Sequence, residues 1–167
     1  MNLFLLRHGI AAERDTPGYE RDADRPLTPK GERRLEQIAD AMEAMGLTFD
    51  LIISSPYLRA RQTAEIVAAA LGLKKKLEFS EALTPDGDPQ ALVAALNKMT
   101  PQPEKVLLVG HEPFLSELIS TLTSGDAHIA MDFKKGGLCK LEIETLRPGR
   151  CATLAWLLTP RQMALMA

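Results

Sequence analysis

The sequence predicts an α/β fold: a three-layer sandwich with a mainly parallel central sheet, helices on both faces and a terminal antiparallel strand. Three observations carry this. Short apolar runs (Leu3–Leu6, Phe49–Ile53, Lys105–Val109) stop abruptly at polar or glycine residues, as buried strands do. Between them lie stretches with apolar residues at helical spacing, and this alternation implies parallel strands with helices on both faces of the sheet. Near the carboxyl end the period becomes two. Cys139, Leu141 and Ile143 alternate with Lys140, Glu142 and Glu144, the pattern of a half-buried strand.

The first strand runs into Arg7-His8-Gly9. Ala11 to Leu27 is polar, holds Pro17, Gly18 and Pro26, and shows no period. It reads as a loop longer than most connections and, starting beside His8, as a candidate wall of a site. Thr28 then serves as N-cap and Pro29 as first residue of a helix. Leu35, Ile38, Ala39, Met42 and Met45 form its core stripe, and Gly46 closes it.

The second strand, Phe49 to Ile53, ends in Ser54-Ser55-Pro56, where a helix begins with Pro56 near its first turn. Ala60, Ala64, Val67, Ala68 and Leu71 face inward, and Gly72 ends it. Arg59 and Arg61 fall in its first turn, where the helix dipole disfavours cations and favours a bound anion. That placement points to a functional reason for at least one of them. Lys74 to Lys76 is a solvated linker, Leu77 to Phe79 a third strand, and Ser80 to Pro89 a Pro- and Gly-containing loop. A short helix covers Ala91 to Asn97. The fourth strand, Lys105 to Val109, ends in Gly110-His111-Glu112-Pro113, and Leu115, Leu118, Ile119 and Leu122 mark the next helix.

Thr123 to Gly137 is mostly irregular, and His128 within it reads as a surface histidine. A turn at Arg147-Pro148-Gly149-Arg150 joins the period-two strand to an antiparallel partner, Ala152 to Leu158. Trp156 is expected to cover the sheet. The tail from Thr159 to Ala167 carries no pattern.

Length and composition fit one domain spanning residues 1–167, with 46% hydrophobic and 25% charged residues. The formal charge of -2 gives no bias towards nucleic acid or acidic membranes. No apolar stretch has the length of a membrane span and no signal-like segment opens the chain, so a cytoplasmic protein is expected. Cys139 and Cys151 fall far apart along the hairpin, which disfavours a disulfide. The scattered Cys and His residues show no metal-ligand spacing.

Strand ends thus carry the chemistry: Arg7 and His8 after the first, Arg59 after the second, His111 after the fourth. Parallel strands put these ends on one side of the sheet, where ligands bind in open α/β folds. Two guanidinium and two imidazole groups converging there suit a phosphoryl group, or a phosphate or sulfate ion.

These residues sit in motifs that resemble the histidine phosphatase superfamily, with its phosphoglycerate mutase-like fold. The motifs are Leu6-Arg7-His8-Gly9, Leu27-Thr28-Pro29-Lys30-Gly31, the run from Ser54 to Ala64, and Val109-Gly110-His111-Glu112-Pro113, in the family's order and spacing. The short chain, the segment from Glu81 to Asp88 and Trp156 near Thr159-Pro160 look most like the small SixA-type phosphohistidine phosphatases. The resemblance implies that His8 is the nucleophile, forming a transient phosphohistidine, and that Arg7, Arg59 and His111 bind the phosphoryl oxygens. It implies no metal and no cofactor.

Physical chemistry adds conditions. His8 attacks only when neutral and held in one tautomer, commonly by a backbone carbonyl. His111 serves best as a cation or hydrogen-bond donor. Larger relatives carry a glutamate acid in a helical insertion that is here reduced to a loop. Glu81 is the nearest carboxylate, with Asp86 and Asp88 beyond it. An imidazole leaving group titrates at about 6.5 and needs no dedicated acid, whereas an alkoxide does. A short insertion also leaves the site open to a substrate carried on a folded protein. Both points favour phosphohistidine on a partner protein. The alternatives are a phosphatase of a small phosphorylated metabolite and an inactive phosphate-binding module.

Overall fold

Strands and helices alternate through the computed structural model, which describes residues 1–167. In chain order they are β1 (Asn2–Arg7), α1 (Pro29–Ala44), β2 (Leu51–Ser54), α2 (Leu58–Ala70), β3 (Leu77–Phe79), α3 (Pro89–Lys98), β4 (Lys105–Gly110), α4 (Phe114–Ser124), β5 (Leu138–Ile143), β6 (Ala152–Leu158) and α5 (Pro160–Met163). The sheet order is β3-β2-β4-β1-β5-β6. β1, β2, β3 and β4 pair in parallel, whereas β5 runs antiparallel to both β1 and β6.

β1 shows why the interior runs are continuously apolar. Leu3 and Leu5 enter one core with Leu92 and Leu96 of α3 and Leu115 and Leu118 of α4. Phe4 and Leu6 enter a second core on the opposite face, with Leu35, Ile38 and Met42 of α1 and Ala64 and Val67 of α2. Successive strand residues point to opposite faces, so a strand covered on both sides must be apolar at each position. This is the three-layer arrangement that the alternation predicted.

Capping matches the local chemistry. The Thr28 hydroxyl accepts the Gly31 amide at 3.0 Å with Pro29 in the first turn, and Gly46 follows the helix at φ 68°. Gly31 is required by contact: a Cβ there would stand 2.1 Å from the Ile10 carbonyl oxygen, which also accepts the Thr28 amide at 2.9 Å. The first turn of α1 is therefore laid directly on the chain just after His8.

Several boundaries differ from expectation. α2 starts at Leu58, because Ser54 ends β2 and Ser55 Oγ takes the Tyr57 amide in a turn. α3 starts at Pro89, since Asp88 caps the Gln90 amide and proline fits the first helical position. Met45 is only half-buried, because α1 ends beside it. β5 is covered beyond its predicted inward face, with Leu138 buried in the second core. The tail also has structure. Thr159 and Gln162 form a capping box that starts α5, and Met163 is fully buried in the core shared with α1. One short turn has too few residues to show periodicity, so only its capping residues marked it.

The two cysteines are apart and free, Cys139 opposite Leu157 in the hairpin and Cys151 at its far end. No helix is long and apolar enough to cross a membrane. Replacing Met163 with Ala removes a fully buried side chain and is expected to cost about 2–4 kcal/mol of unfolding free energy, measured by urea denaturation.

Candidate active site

β4 lies between β1 and β2, which brings three strand ends together. The His8 amide donates to the Gly110 carbonyl at 3.0 Å and the Ser55 amide to the Val109 carbonyl at 3.0 Å. The rings of His8 and His111 consequently stand with centroids 5.1 Å apart. Arg59, in the first turn of α2, reaches the same point: its Nε lies 3.3 Å from His8 Nε2.

The tautomer of His8 is fixed from both sides. Its Nδ1 lies 2.7 Å from the Gly9 carbonyl oxygen, which can only accept, so Nδ1 carries the proton. Arg59 Nε can only donate, so Nε2 presents a lone pair. Gly9 is itself held, because its amide donates to Thr63 Oγ1 at 3.1 Å and that hydroxyl donates to the Arg59 carbonyl at 2.7 Å. Burial above all, then the neighbouring His111, holds the His8 imidazole well below its usual titration range, with Arg59 and Arg7 adding to the effect. The Gly9 bond opposes this without overturning it. His8 is thus a neutral imidazole with a directed lone pair.

His111 Nε2 lies 2.8 Å from Ser55 Oγ. Burial first, and Arg59 next, push its pKa down to about 3. Of the two expected roles for His111, cation or hydrogen-bond donor, the cation is corrected: the buried ring is neutral, because burial and a third positive charge beside Arg7 and Arg59 are unfavourable. It retains donor capacity through one ring nitrogen. The Arg7 guanidinium donates from Nη1 to the Phe133 carbonyl at 2.6 Å, and burial lowers its pKa against the pull of Glu112 and Asp132. Two buried side-chain polar atoms in the whole chain lack a hydrogen-bond partner, Arg7 Nε and His111 Nδ1. Buried polar atoms are otherwise almost always paired, so two unpartnered ones make this a candidate ligand position.

The loop from Ala11 to Leu27 does form a wall. Within it Asp22 is a hub that the sequence did not reveal. Its Oδ2 accepts from Arg59 Nη2 at 2.8 Å, its carbonyl from Arg59 Nη1 at 2.6 Å, and its Oδ1 from Arg25 Nη2 at 2.6 Å. Burial pushes the Asp22 carboxyl up, but the bonds from Arg59 and Arg25 outweigh it and hold the carboxyl below its ordinary value. Arg25 also reaches the Ala12 carbonyl at 2.6 Å, closing the loop on itself. A cleft of about 460 Å³ adjoins the cluster, with Asp22, Arg25, Tyr57, Asp86 and Glu112 in its lining.

The structure brings Arg7, His8, Arg59 and His111 together. It does not bring Glu81 to them. Glu81 is exposed in a turn after β3, and the carboxylates that line the cleft include Asp86 and Glu112 instead. Arg61, the second cation of the first turn of α2, pairs with Glu65 at 2.8 Å on the surface, so only Arg59 has a place in the site. Phe133 and Gly136, from the segment read as irregular, also hold it: the Gly136 amide donates to the carbonyls of Arg7 at 3.0 Å and His8 at 3.2 Å.

The buried histidines make stability pH-dependent. The pKa of His111 in the folded state lies below its unfolded value of about 6.5, so the unfolded chain binds the proton first and acid favours unfolding. Between pH 6.5 and 5 this site alone is expected to remove roughly 1.5 kcal/mol. The His111→Asn variant should lose that much less stability over the same interval, measured by urea denaturation at each pH.

Comparison with known proteins agrees with this geometry. The family model described as histidine phosphatase superfamily (branch 1) matches residues 3–84. An uncharacterized protein from Picosynechococcus is 42% identical over 142 residues, covering 84% of each chain. Phosphohistidine phosphatase SixA of Escherichia coli K12 is 33% identical over 127 residues, 75% of this chain and 76% of that protein. A solved structure of the protein histidine phosphatase SixA complexed with tungstate superposes with a TM-score of 0.82 at 27% identity, covering 96% of this chain and 98% of that one. The chain belongs to the histidine phosphatase superfamily.

Proposed function

We propose that this protein, acting as one domain over residues 1–167, hydrolyses phosphohistidine on a partner protein through a covalent phosphohistidine intermediate on His8. The observation that carries the reading is the pair of buried nitrogens without a partner, Arg7 Nε and His111 Nδ1, at the site of His8. A phosphoryl group satisfies both when Nδ1 carries the ring proton of His111 and Nε2 accepts from the Ser55 hydroxyl. The SixA relative supports the substrate class, and the SixA complex holds tungstate, an oxyanion like phosphate.

His8 Nε2 gives up its contact with Arg59 Nε and attacks phosphorus in line. The Nε2–P bond forms as the P–N bond to the substrate imidazole breaks. The other nitrogen of the substrate ring, protonated from solvent, lets the imidazole leave as a neutral molecule without an enzyme acid, since an imidazole pKa of about 6.5 keeps that protonated form available. Water then cleaves the phosphorylated His8, releasing inorganic phosphate and restoring the neutral ring. Arg7, Arg59 and His111 stabilise charge on the equatorial oxygens. Two guanidinium groups supply positive charge, and we read the reaction as metal-independent on that account. Asp22 is a positioning residue that aims Arg59.

The test compares phosphate release from a phosphohistidine-bearing carrier protein and from a simple phosphate monoester. Release from the carrier should be the faster, and His8→Ala should slow it by at least about a thousandfold. The Glu81→Gln variant should stay within about twofold of the parent on phosphohistidine, because an imidazole leaving group needs no acid. Preferential ester hydrolysis would overturn the substrate assignment in favour of a small phosphorylated metabolite. No release from either substrate by the parent would leave only a binding module, and equal release by parent and His8→Ala would overturn His8 as the nucleophile.

Asp22→Asn weakens the fork that holds Arg59. It is expected to lower kcat/KM about tenfold through misplacement of the guanidinium, with kcat reduced more than KM is raised, as steady-state kinetics would show.

A further inference from the structure

A second cleft, of about 580 Å³, shares Arg7 with the active site and is lined also by Arg34, Asp132, Lys134, Lys135 and Arg161. Its cations come from three segments: Arg34 from α1, Lys134 and Lys135 from the loop before β5, and Arg161 from α5. Gly136 locks these segments together. Its amide is bonded to the Arg7 and His8 carbonyls, its φ is 79°, and a Cβ there would stand 2.8 Å from Ile38 of α1 and 3.4 Å from Pro160 of α5. The basic surface continues from Arg34 along α1 to Lys30 and Arg33, which line an adjoining depression with no carboxylate. One acid lines the larger cleft, Asp132, and it is engaged by Lys134.

This clustering is local. The chain carries a net charge of -2, and the cations of the loop at the other cleft have carboxylate partners, Arg14 and Arg25 sharing Asp22 with Arg59, and Arg21 on Asp24. Lys30, Arg33, Arg34, Lys135 and Arg161 have no carboxylate within ion-pair distance. Burial lowers the pKa of Lys135, and the field of Arg7, Arg25 and Arg59 lowers it further, so the loop cation stands in the same positive field as the phosphoryl site.

We propose that this basic cleft docks an acidic surface patch of the partner protein whose phosphohistidine enters the active site. The inference rests on the phosphohistidine reading above and names the charge its carrier must present. The form of the surface selects a protein over a small second anion. Lys134, Lys135 and Arg161 are exposed and spread over a loop and a helix rather than enclosed, and from Arg34 to Lys30 the surface runs about 6 Å further along α1. A ligand touching Arg7 and this outer stretch at once must be extended and carry several negative charges, as an acidic protein surface does. Exposed charge pairs of this kind act through encounter and orientation, and they weaken with salt.

The test uses the double variant Arg34→Glu/Arg161→Glu, both positions lying outside the residues that touch the phosphoryl group. Two substrates are compared: an acidic histidine phosphotransfer domain phosphorylated on histidine, and free phosphohistidine. On the domain, kcat/KM should fall about tenfold, mostly through KM, with the difference vanishing near about 0.5 M salt, where screening is nearly complete. Turnover of free phosphohistidine should be unchanged, which also shows that the variant is folded. Unchanged kcat/KM on the phosphorylated domain would overturn the docking surface while leaving the phosphohistidine activity standing. An equal loss on both substrates would overturn it too, making the cleft a subsite for a small anion. Hydrolysis of free phosphohistidine or of an ester by the parent, with none of the phosphorylated domain, would overturn the protein-substrate reading itself.

Discussion

The geometry of this protein depends on keeping one imidazole neutral and aimed. His8 is 6% exposed, next to a second histidine and two arginines, so a proton on it would add charge to a site already positive and poorly hydrated. The Gly9 carbonyl accepts a hydrogen bond from the Nδ1 N–H and leaves the Nε2 lone pair facing Arg59 Nε. The glycine belongs to the chain that turns out of β1, and α1 packs against the residue after it. The tautomer of His8 is therefore set by backbone laid down by the fold.

Neighbouring charge is handled by pairing. Arg59 is 2% exposed, and an isolated buried guanidinium would be prohibitive. Asp22 offsets that cost with both its carboxylate and its backbone carbonyl, and Arg25 in turn anchors Asp22. The long polar loop exists in an ordered form because its acidic residues have arginines to close on. On the other side Arg7 is tied to the Phe133 carbonyl and keeps its Nε unpaired. The site is thus a set of donors with most, though not all, of their capacity used. The unused remainder is Arg7 Nε and His111 Nδ1.

The surroundings differ on the two sides of that anion position. Towards Asp22 the arginines share a carboxylate partner. Towards α1 and α5 Lys30, Arg34, Lys135 and Arg161 have none. A loop that carries only a short turn after β3, in place of an inserted helix, leaves both sides reachable. The open rim and the unpaired cations beside it are consistent with a substrate group presented on a larger body.

Much of this was legible in the chain. Apolar runs ending at breakers gave the parallel strands, because a strand covered on both faces has no polar position to spend. The caps Thr28, Gly46 and Gly72 gave helix limits through their own local bonding. Strand ends carrying Arg7, His8, Arg59 and His111 identified the site, since parallel strands share one carboxyl end. What the sequence could not decide lay in contacts between distant segments. Asp22 looks like any loop aspartate until the loop folds onto Arg59, 37 residues away. Lys135 and Arg161 meet Arg34 only because Gly136 and α5 pack on α1. The neutrality of His111 follows from burial, which is a property of the assembled core. Local propensity and periodicity are written in neighbours along the chain and therefore in the sequence. The titration state of a buried group and the pairing of its charges depend on what the fold places around it, and only the tertiary structure decides that.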